Sequence, residues 1–208
     1  MTGTSSTRSR TGHPVATRRR RLAVAALVVV GALAAACTPS GPGSGVRTWT
    51  IPAGAHDANG ATVATTSSDR LHFRARFDDS AQYATVDPSN QADINKLRGF
   101  SDCSSHHQQD SARFGWRWAT DRVEILAYTY VGGARQSALL GSVQPGEWHE
   151  YELIATPTGY LFRLDGADTA MPRGCSAEGL LKYHLWPYFG GDEVAPHTIN
   201  LQMEELAN

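Results

Sequence analysis

Four stretches of the chain alternate apolar side chains with cationic and aromatic ones. Arg70, His72, Arg74 and Arg76 alternate with Leu71, Phe73, Ala75 and Phe77, and Arg113, Gly115 and Arg117 alternate with Phe114, Trp116 and Trp118. Glu124, Tyr128 and Tyr130 are set against Val123, Ile125, Ala127, Thr129 and Val131. In residues 181–189 the apolar set Leu181, Leu185 and Phe189 leaves Lys182, His184, Trp186 and Tyr188 for the other side. Residues two apart on an extended chain share a face. With the apolar members turned inward, the opposite face gathers rings, on which sugars stack, and guanidiniums, which grip a carboxylate or sulfate through two parallel hydrogen bonds. The predicted substrate-binding set is therefore Arg74, Arg113, Arg117, Tyr128, Lys182, His184, Trp186 and Tyr188, with Gly115 as a point where a ligand can approach the backbone. The competing account is a solvated face on which alternating arginines serve solubility.

The segment from Ser101 to Asp110 adds His106 and His107. Cleavage of a uronate polymer by β-elimination needs a cation to neutralise the carboxylate, a base for the C5 proton and an acid for the leaving oxygen. His106, His107 and Tyr130 are of the right types to be catalytic in such a reaction, with Arg113 or Arg117 as the cation. Neighbouring histidines on an extended segment point to opposite sides, which argues against one shared metal. Asp192 and Glu193, after Gly190-Gly191, offer hard oxygen ligands for Ca²⁺ but lack the ligand count of a dedicated calcium loop. No cofactor is expected. Gly-x-Ser-x-Gly, a Walker loop and a dinucleotide fingerprint are all absent.

Period-two alternation recurs along the chain after residue 46, and no long stretch there has helical periodicity. Pro157-Thr158-Gly159, Asp165-Gly166 and Thr120-Asp121 separate the alternating runs in the manner of hairpin turns. About ten short antiparallel strands are predicted, folded as an all-β sandwich or jelly roll, with a closed barrel as the alternative. The one helical candidate is a turn or two at Asn90–Lys96.

Residues 148–166, with their strand, hairpin and Asp-Gly turn, resemble the concanavalin A-like jelly rolls, the superfamily of laminin-G domains, legume lectins, glucanases and polysaccharide lyases. Asn95-Lys-Leu-Arg-Gly-Phe100 is similar to the Lys-Leu-Pro-Gly-Leu segment of some lyases of that fold, with Arg98 in place of the Pro. The resemblance covers most of residues 47–206 and implies the jelly-roll fold; fold likeness alone implies no activity. Glucanases of this fold present Glu-x-Asp-x-x-Glu or Glu-x-Asp-x-Glu on one strand, and Glu147-Trp-His-Glu150-Tyr-Glu152, the nearest stretch, does not match.

The 208-residue chain carries, within its first 37 residues, Arg18-Arg19-Arg20-Arg21, an apolar run over residues 22–36, and Cys37. Such a run is too short to span a hydrocarbon core of about 30 Å comfortably and reads as an export signal over residues 1–36. Leu33-Ala34-Ala35-Ala36-Cys37 resembles the lipobox of bacterial lipoproteins, which implies lipidation of Cys37, membrane anchoring and a flexible tether over 37–46. A plain signal peptide and secretion is the alternative. An oxidising compartment makes Cys103 and Cys175 the expected disulfide. The first 36 residues hold six of the 19 basic residues and none of the 20 acidic ones, so the remainder, with 13 basic against 20 acidic, has a net charge of −7. A globally basic nucleic-acid binder is excluded on that balance. The expected function is an exported, lipid-anchored β-sandwich that binds an extracellular, acidic polysaccharide. A lyase acting on such a glycan and an envelope lipoprotein without a sugar site are the alternatives.

Overall fold

The alternation at Arg70–Phe77 is realised residue by residue: Leu71, Phe73, Ala75 and Phe77 are buried while the residues between them are half-exposed. The computed structural model describes residues 45–207; the expectations for residues 1–36, for Cys37 and for the tether as far as Ser44 fall outside them. The strands are β1 (Arg47–Ile51), β2 (Thr65–Thr66), β3 (Arg70–Phe77), β4 (Asn95–Ser101), β5 (Ser111–Ala119), β6 (Arg122–Val131), β7 (Ala134–Val143), β8 (His149–Thr156), β9 (Gly159–Leu164), β10 (Ala167–Met171), β11 (Lys182–Leu185) and β12 (Ile199–Glu205). They form two six-stranded antiparallel sheets, β1-β12-β3-β8-β9-β10 and β2-β11-β4-β5-β6-β7. This is an all-β antiparallel sandwich of the jelly-roll, concanavalin A-like type.

The inward faces meet through aromatic rings. Phe73 of the first sheet lies 5.8 Å from Phe114 of the second, and Phe162 and Phe77 lie 5.1 Å from Phe114 and Trp116 respectively. Fully burying one such side chain stabilises the fold by about 1.5–3 kcal/mol. Turn chemistry follows the sequence closely at β9–β10, where Asp165 and Gly166 both adopt positive φ (48° and 84°) as a tight hairpin requires.

Three expectations change. The helical candidate at 90–96 is a 3₁₀ turn at Pro88–Ala92, opened by the Asp87 carboxylate accepting from the Ser89 N–H. Asn95 and Lys96 belong instead to β4, because pairing with Trp116 and Gly115 of β5 satisfies their backbone and outweighs a weak local helical preference. The four alternating segments do not share one sheet, since β3 lies in the first sheet and β5, β6 and β11 in the second. Finally, Lys182 points into the protein.

Lys182 is 1% exposed and its ammonium contacts Asp69 at 2.6 Å and Asp102 at 3.8 Å. Asp102, fully buried, also accepts from Arg173 Nε (2.6 Å) and Nη2 (3.1 Å) and from the Tyr160 hydroxyl (2.9 Å). A buried carboxylate demands such partners, and this demand draws Lys182 inward against its place in the alternation. The next residue, Cys103, is bonded to Cys175 as expected, with 5.8 Å between Cα atoms. The bond and the ion cluster together pin the β4–β5 connection to the β10–β11 connection.

Candidate functional site

Register decides which side chains share the outer face of the second sheet. Paired residues of antiparallel strands project to the same side. Gly99, Arg113, Tyr128 and Ser137 form one row across β4, β5, β6 and β7, and Ser101, Ser111, Tyr130 and Arg135 form the next. Lys96 faces outward with Gly115, and an isolated bridge sets Tyr188 beside Lys96. The result is a groove of about 430 Å³ whose wall includes Lys96, His107, Arg113, Tyr128, Tyr130, Tyr183 and Tyr188.

Arg113 lies along the floor. Gly99 makes room for it: a Cβ at Gly99 would stand 2.7 Å from Arg113 Cγ and 2.2 Å from the Ala112 carbonyl oxygen. The Arg113 guanidinium is 5.5 Å from the Tyr128 ring centroid, and the residue is 8% exposed. Its Nε is buried without a hydrogen-bond partner, and no carboxylate pairs with it among the described residues. Burial holds its pKa below the ordinary guanidinium value. Lys96 sits over Tyr128 and Tyr188, 4.8 and 5.9 Å from the ring centroids, and donates to the Ile94 carbonyl at 2.7 Å.

His107 comes from a turn-rich loop, not an extended segment. Cys103 and Ser104 take positive φ, and Gln109 N–H donates to the His106 carbonyl at 2.8 Å. The His106 and His107 rings consequently lie together, with centroids 4.2 Å apart, instead of on opposite sides. The Tyr183 hydroxyl accepts from the His107 backbone N–H at 2.8 Å and lies 3.0 Å from His107 Nδ1. Burial first, then the Arg113 guanidinium and His106, push the His107 pKa down to about 4, so this imidazole is neutral at pH 7. Tyr128, 5.8 Å from Tyr130 between ring centroids, is pushed up to about 12 by burial and by the neighbouring Tyr130. Neutral imidazole, neutral phenols and unpaired cations thus face one space.

The fold brings together Arg113, Tyr128, Tyr130, Tyr188 and His107 from the predicted set. It separates the others. Arg74 lies on the outer face of the first sheet, bonded to Glu204 at 2.6 Å and 4.8 Å above Trp148. Arg117 shares the face of Arg113 but is held by Glu124 at 2.7 Å and the Ala92 carbonyl at 3.0 Å. His184 pairs with Phe100, a core residue, and so turns inward, with its pKa pushed down to about 4 by burial and then by Arg98. Trp186 stacks on Trp49 at 4.8 Å and donates its Nε1–H to the Thr62 carbonyl at 2.6 Å. These two contribute to the groove's edge but do not present free ring faces along its floor. His106 is exposed and is absent from the wall. Gly115 admits a protein side chain and not a ligand, for a Cβ there would stand 2.4 Å from Ile94 Cγ2.

The acidic residues have structural work. Glu193 accepts from the Val86 and Asp87 N–H groups and from Asn90 Nδ2, at 2.7 to 2.9 Å, bonds that hold its carboxyl below the usual carboxylate range. With both oxygens engaged it ties the 3₁₀ turn to the segment after Phe189, and no ligand cluster forms with Asp192 among the described residues. Glu150 and Glu152 lie in the first sheet, paired with His72 and with Arg70 and Arg163. Asp57 is the one carboxylate among the residues lining the groove, which leaves no pair for the two-carboxylate chemistry of glycoside hydrolysis there.

Lys96, Tyr183 and Asp57 escaped the sequence reading. Lys96 lies just before a register shift between Lys96 and Arg98, where strict alternation fails. Tyr183 was hidden by the inward turn of Lys182.

No protein-family model matches this chain, and no curated protein matches it. Among solved structures, alginate lyase AlyC3 superposes with a TM-score of 0.54 at 9% identity, over 78% of this chain and 74% of that one. The structure of AlyC3 in complex with dimannuronate gives 0.53 at 7% identity, over 78% and 76%. At these identities the likeness is one of fold, and it agrees with the jelly roll that the strand order defines.

Proposed function

We propose that the outer groove of the second sheet binds an acidic polysaccharide, with Arg113 gripping a carboxylate of the chain and Tyr128, Tyr130 and Tyr188 offering ring surface to the sugars. The observation that carries this reading is the buried Arg113, whose Nε has no hydrogen-bond partner and whose guanidinium has no carboxylate partner among the described residues. A protein that gains nothing from such a group in the free state pays desolvation for it, and a carboxylate ligand removes that penalty. Two fold neighbours are structures of an alginate lyase, one holding dimannuronate, which makes a mannuronate polymer the first probe. Affinity electrophoresis should show retention by uronate polymers and not by neutral glucans. Equal retention by both, or by neither, would refute the reading.

The second reading, β-elimination, is favoured by His107 and Tyr183. If Nδ1–H donates to the Tyr183 oxygen, Nε2 carries a free lone pair and the Tyr183 proton is available to the groove. Nε2 would then take the C5 proton, Arg113 would stabilise the enolate charge, and the C4–O bond would break as a new C4–C5 double bond forms. The leaving oxygen would take its proton from a phenol, Tyr130 or the adjacent Tyr183. His107→Ala should keep binding and lose the ultraviolet signal of the unsaturated product. Wild-type protein that binds without producing that signal restricts the groove to binding.

Export and anchoring through Cys37 belong to the same proposal, supported by the Cys103–Cys175 disulfide, a bond of oxidising compartments. Cys37→Ala should move the protein from the membrane fraction to the soluble one.

A further inference from the structure

The chain has only two lysines, Lys96 and Lys182, against 17 arginines. Lys182 is consumed by Asp69 and Asp102. Lys96 alone stands in the groove, and no carboxylate forms an ion pair with it among the described residues. Of its three N–H donors, one is committed to the Ile94 carbonyl. Gly190 keeps the space around the ammonium open, since a Cβ there would stand 2.5 Å from Nζ.

We propose that Lys96 is a second anion contact of the groove and a pH-dependent one, whose ammonium holds a carboxylate or sulfate of the glycan and whose neutral amine lets it go. The inference rests on the reading of the groove as an acidic-glycan site and adds to it the regulation of that site.

The choice of residue matters physically. A guanidinium stays charged at every pH a protein meets, whereas an ammonium yields its proton when its surroundings disfavour charge. The groups facing Lys96 are Arg113 from β5, Tyr128 from β6, Arg135 from β7, Asp93 from the segment before β4, and Tyr188, which is bridged to Asp57. Burial is the largest influence and both guanidiniums add to it, against Asp93, so that Lys96 is pushed down to about 8. Tyr128, near 12, and His107, near 4, keep their protonation states across that range. An anionic ligand stabilises the protonated amine, so binding above about pH 8 takes up a proton and weakens as protons become scarce. The limiting slope for one linked proton is about one decade in Kd per pH unit.

The test measures retention of a mannuronate polymer at constant ionic strength across pH, for wild type, Lys96→Arg and Lys96→Met. Wild type should bind steadily below the titration and lose roughly tenfold or more in affinity above it. Lys96→Arg should bind at both ends, because its cation does not titrate, and Lys96→Met should bind weakly and evenly. Reductive ¹³C-methylation, which preserves the charge, gives a direct titration of the two lysines. A wild-type affinity that stays flat through the Lys96 titration, or a decline that persists in Lys96→Arg, overturns the Lys96 proposal alone. Absence of retention at every pH overturns the glycan reading itself, and the Lys96 proposal with it.

Discussion

Arg113→Met should make the protein more stable and less able to bind. The methionine stem replaces most of the aliphatic packing of the arginine and removes a buried Nε that has no partner. A buried polar group left unsatisfied costs about 1–3 kcal/mol. For a domain of this size each kcal/mol corresponds to about 2–4 °C in Tm, so the variant should melt a few degrees higher. Binding should move the other way: hydrogen bonds to a charged group contribute about 1.5–3 kcal/mol, and their loss weakens retention of a uronate polymer by about one to two decades. Calorimetry and affinity electrophoresis on the same preparations read both effects. Arg98→Met is the control, because Arg98, 2% exposed, is paired with Glu205 at 2.9 Å and lies 3.9 Å over Trp186. It should melt lower. A fall in Tm for Arg113→Met with unchanged binding would show Arg113 to be a structural cation and remove the basis of the functional proposal.

Asp102→Asn should destabilise the fold by about 3–5 kcal/mol, because it strips the charge that balances Arg173 and Lys182 in the interior; denaturant unfolding measures this, and a loss below about 1 kcal/mol would contradict the account of Lys182 as an inward-drawn cation. Acid should weaken the fold in a defined window. His107 and His184 are pushed from 6.5 to about 4, so between those values the unfolded chain binds protons that the folded one refuses. The stability these residues allow is present above pH 6.5 and is lost as pH falls towards 4. Tm followed against pH should show that decline, and His184→Gln should flatten it; a Tm that rises over the same interval would mean the histidines are charged in the fold.

The fold was readable because its signal is repetitive. Each half-buried strand declares its faces several times over, as at Leu71, Phe73, Ala75 and Phe77, and Asp165-Gly166 fixes its hairpin through backbone conformation alone. The site was readable only where strands are regular. Arg113, Tyr128 and Tyr130 sit on long, well-paired strands and came out on the expected face. The four-residue β11 is too short for alternation to set its direction, and there a buried carboxylate from another segment, Asp102, reversed the expectation for Lys182 and, through it, for His184. His107 depends on a loop whose path is set by two positive-φ residues and a disulfide. Which strands lie in which sheet is not written locally at all, and alternation alone therefore groups Arg74 with Arg113, from which the topology separates it.

The outer faces of the two sheets differ in how their cations are partnered. The outer face of the first sheet is richer in arginine than the groove, yet Arg70, Arg74 and Arg163 each carry a glutamate or aspartate partner, Glu152, Glu204 and Asp168, and Arg76 donates to the Gln202 side-chain oxygen. Their charge is spent within the sheet, where exposed pairs contribute little and attract little. In the groove Arg113 and Lys96 have no carboxylate partner among the described residues and are largely removed from water, so their field is screened less and acts on whatever anion enters. Both faces present arginine. The information lies in the missing partner, which only the assembled register reveals, and an acidic chain laid across β4, β5 and β6 would supply it.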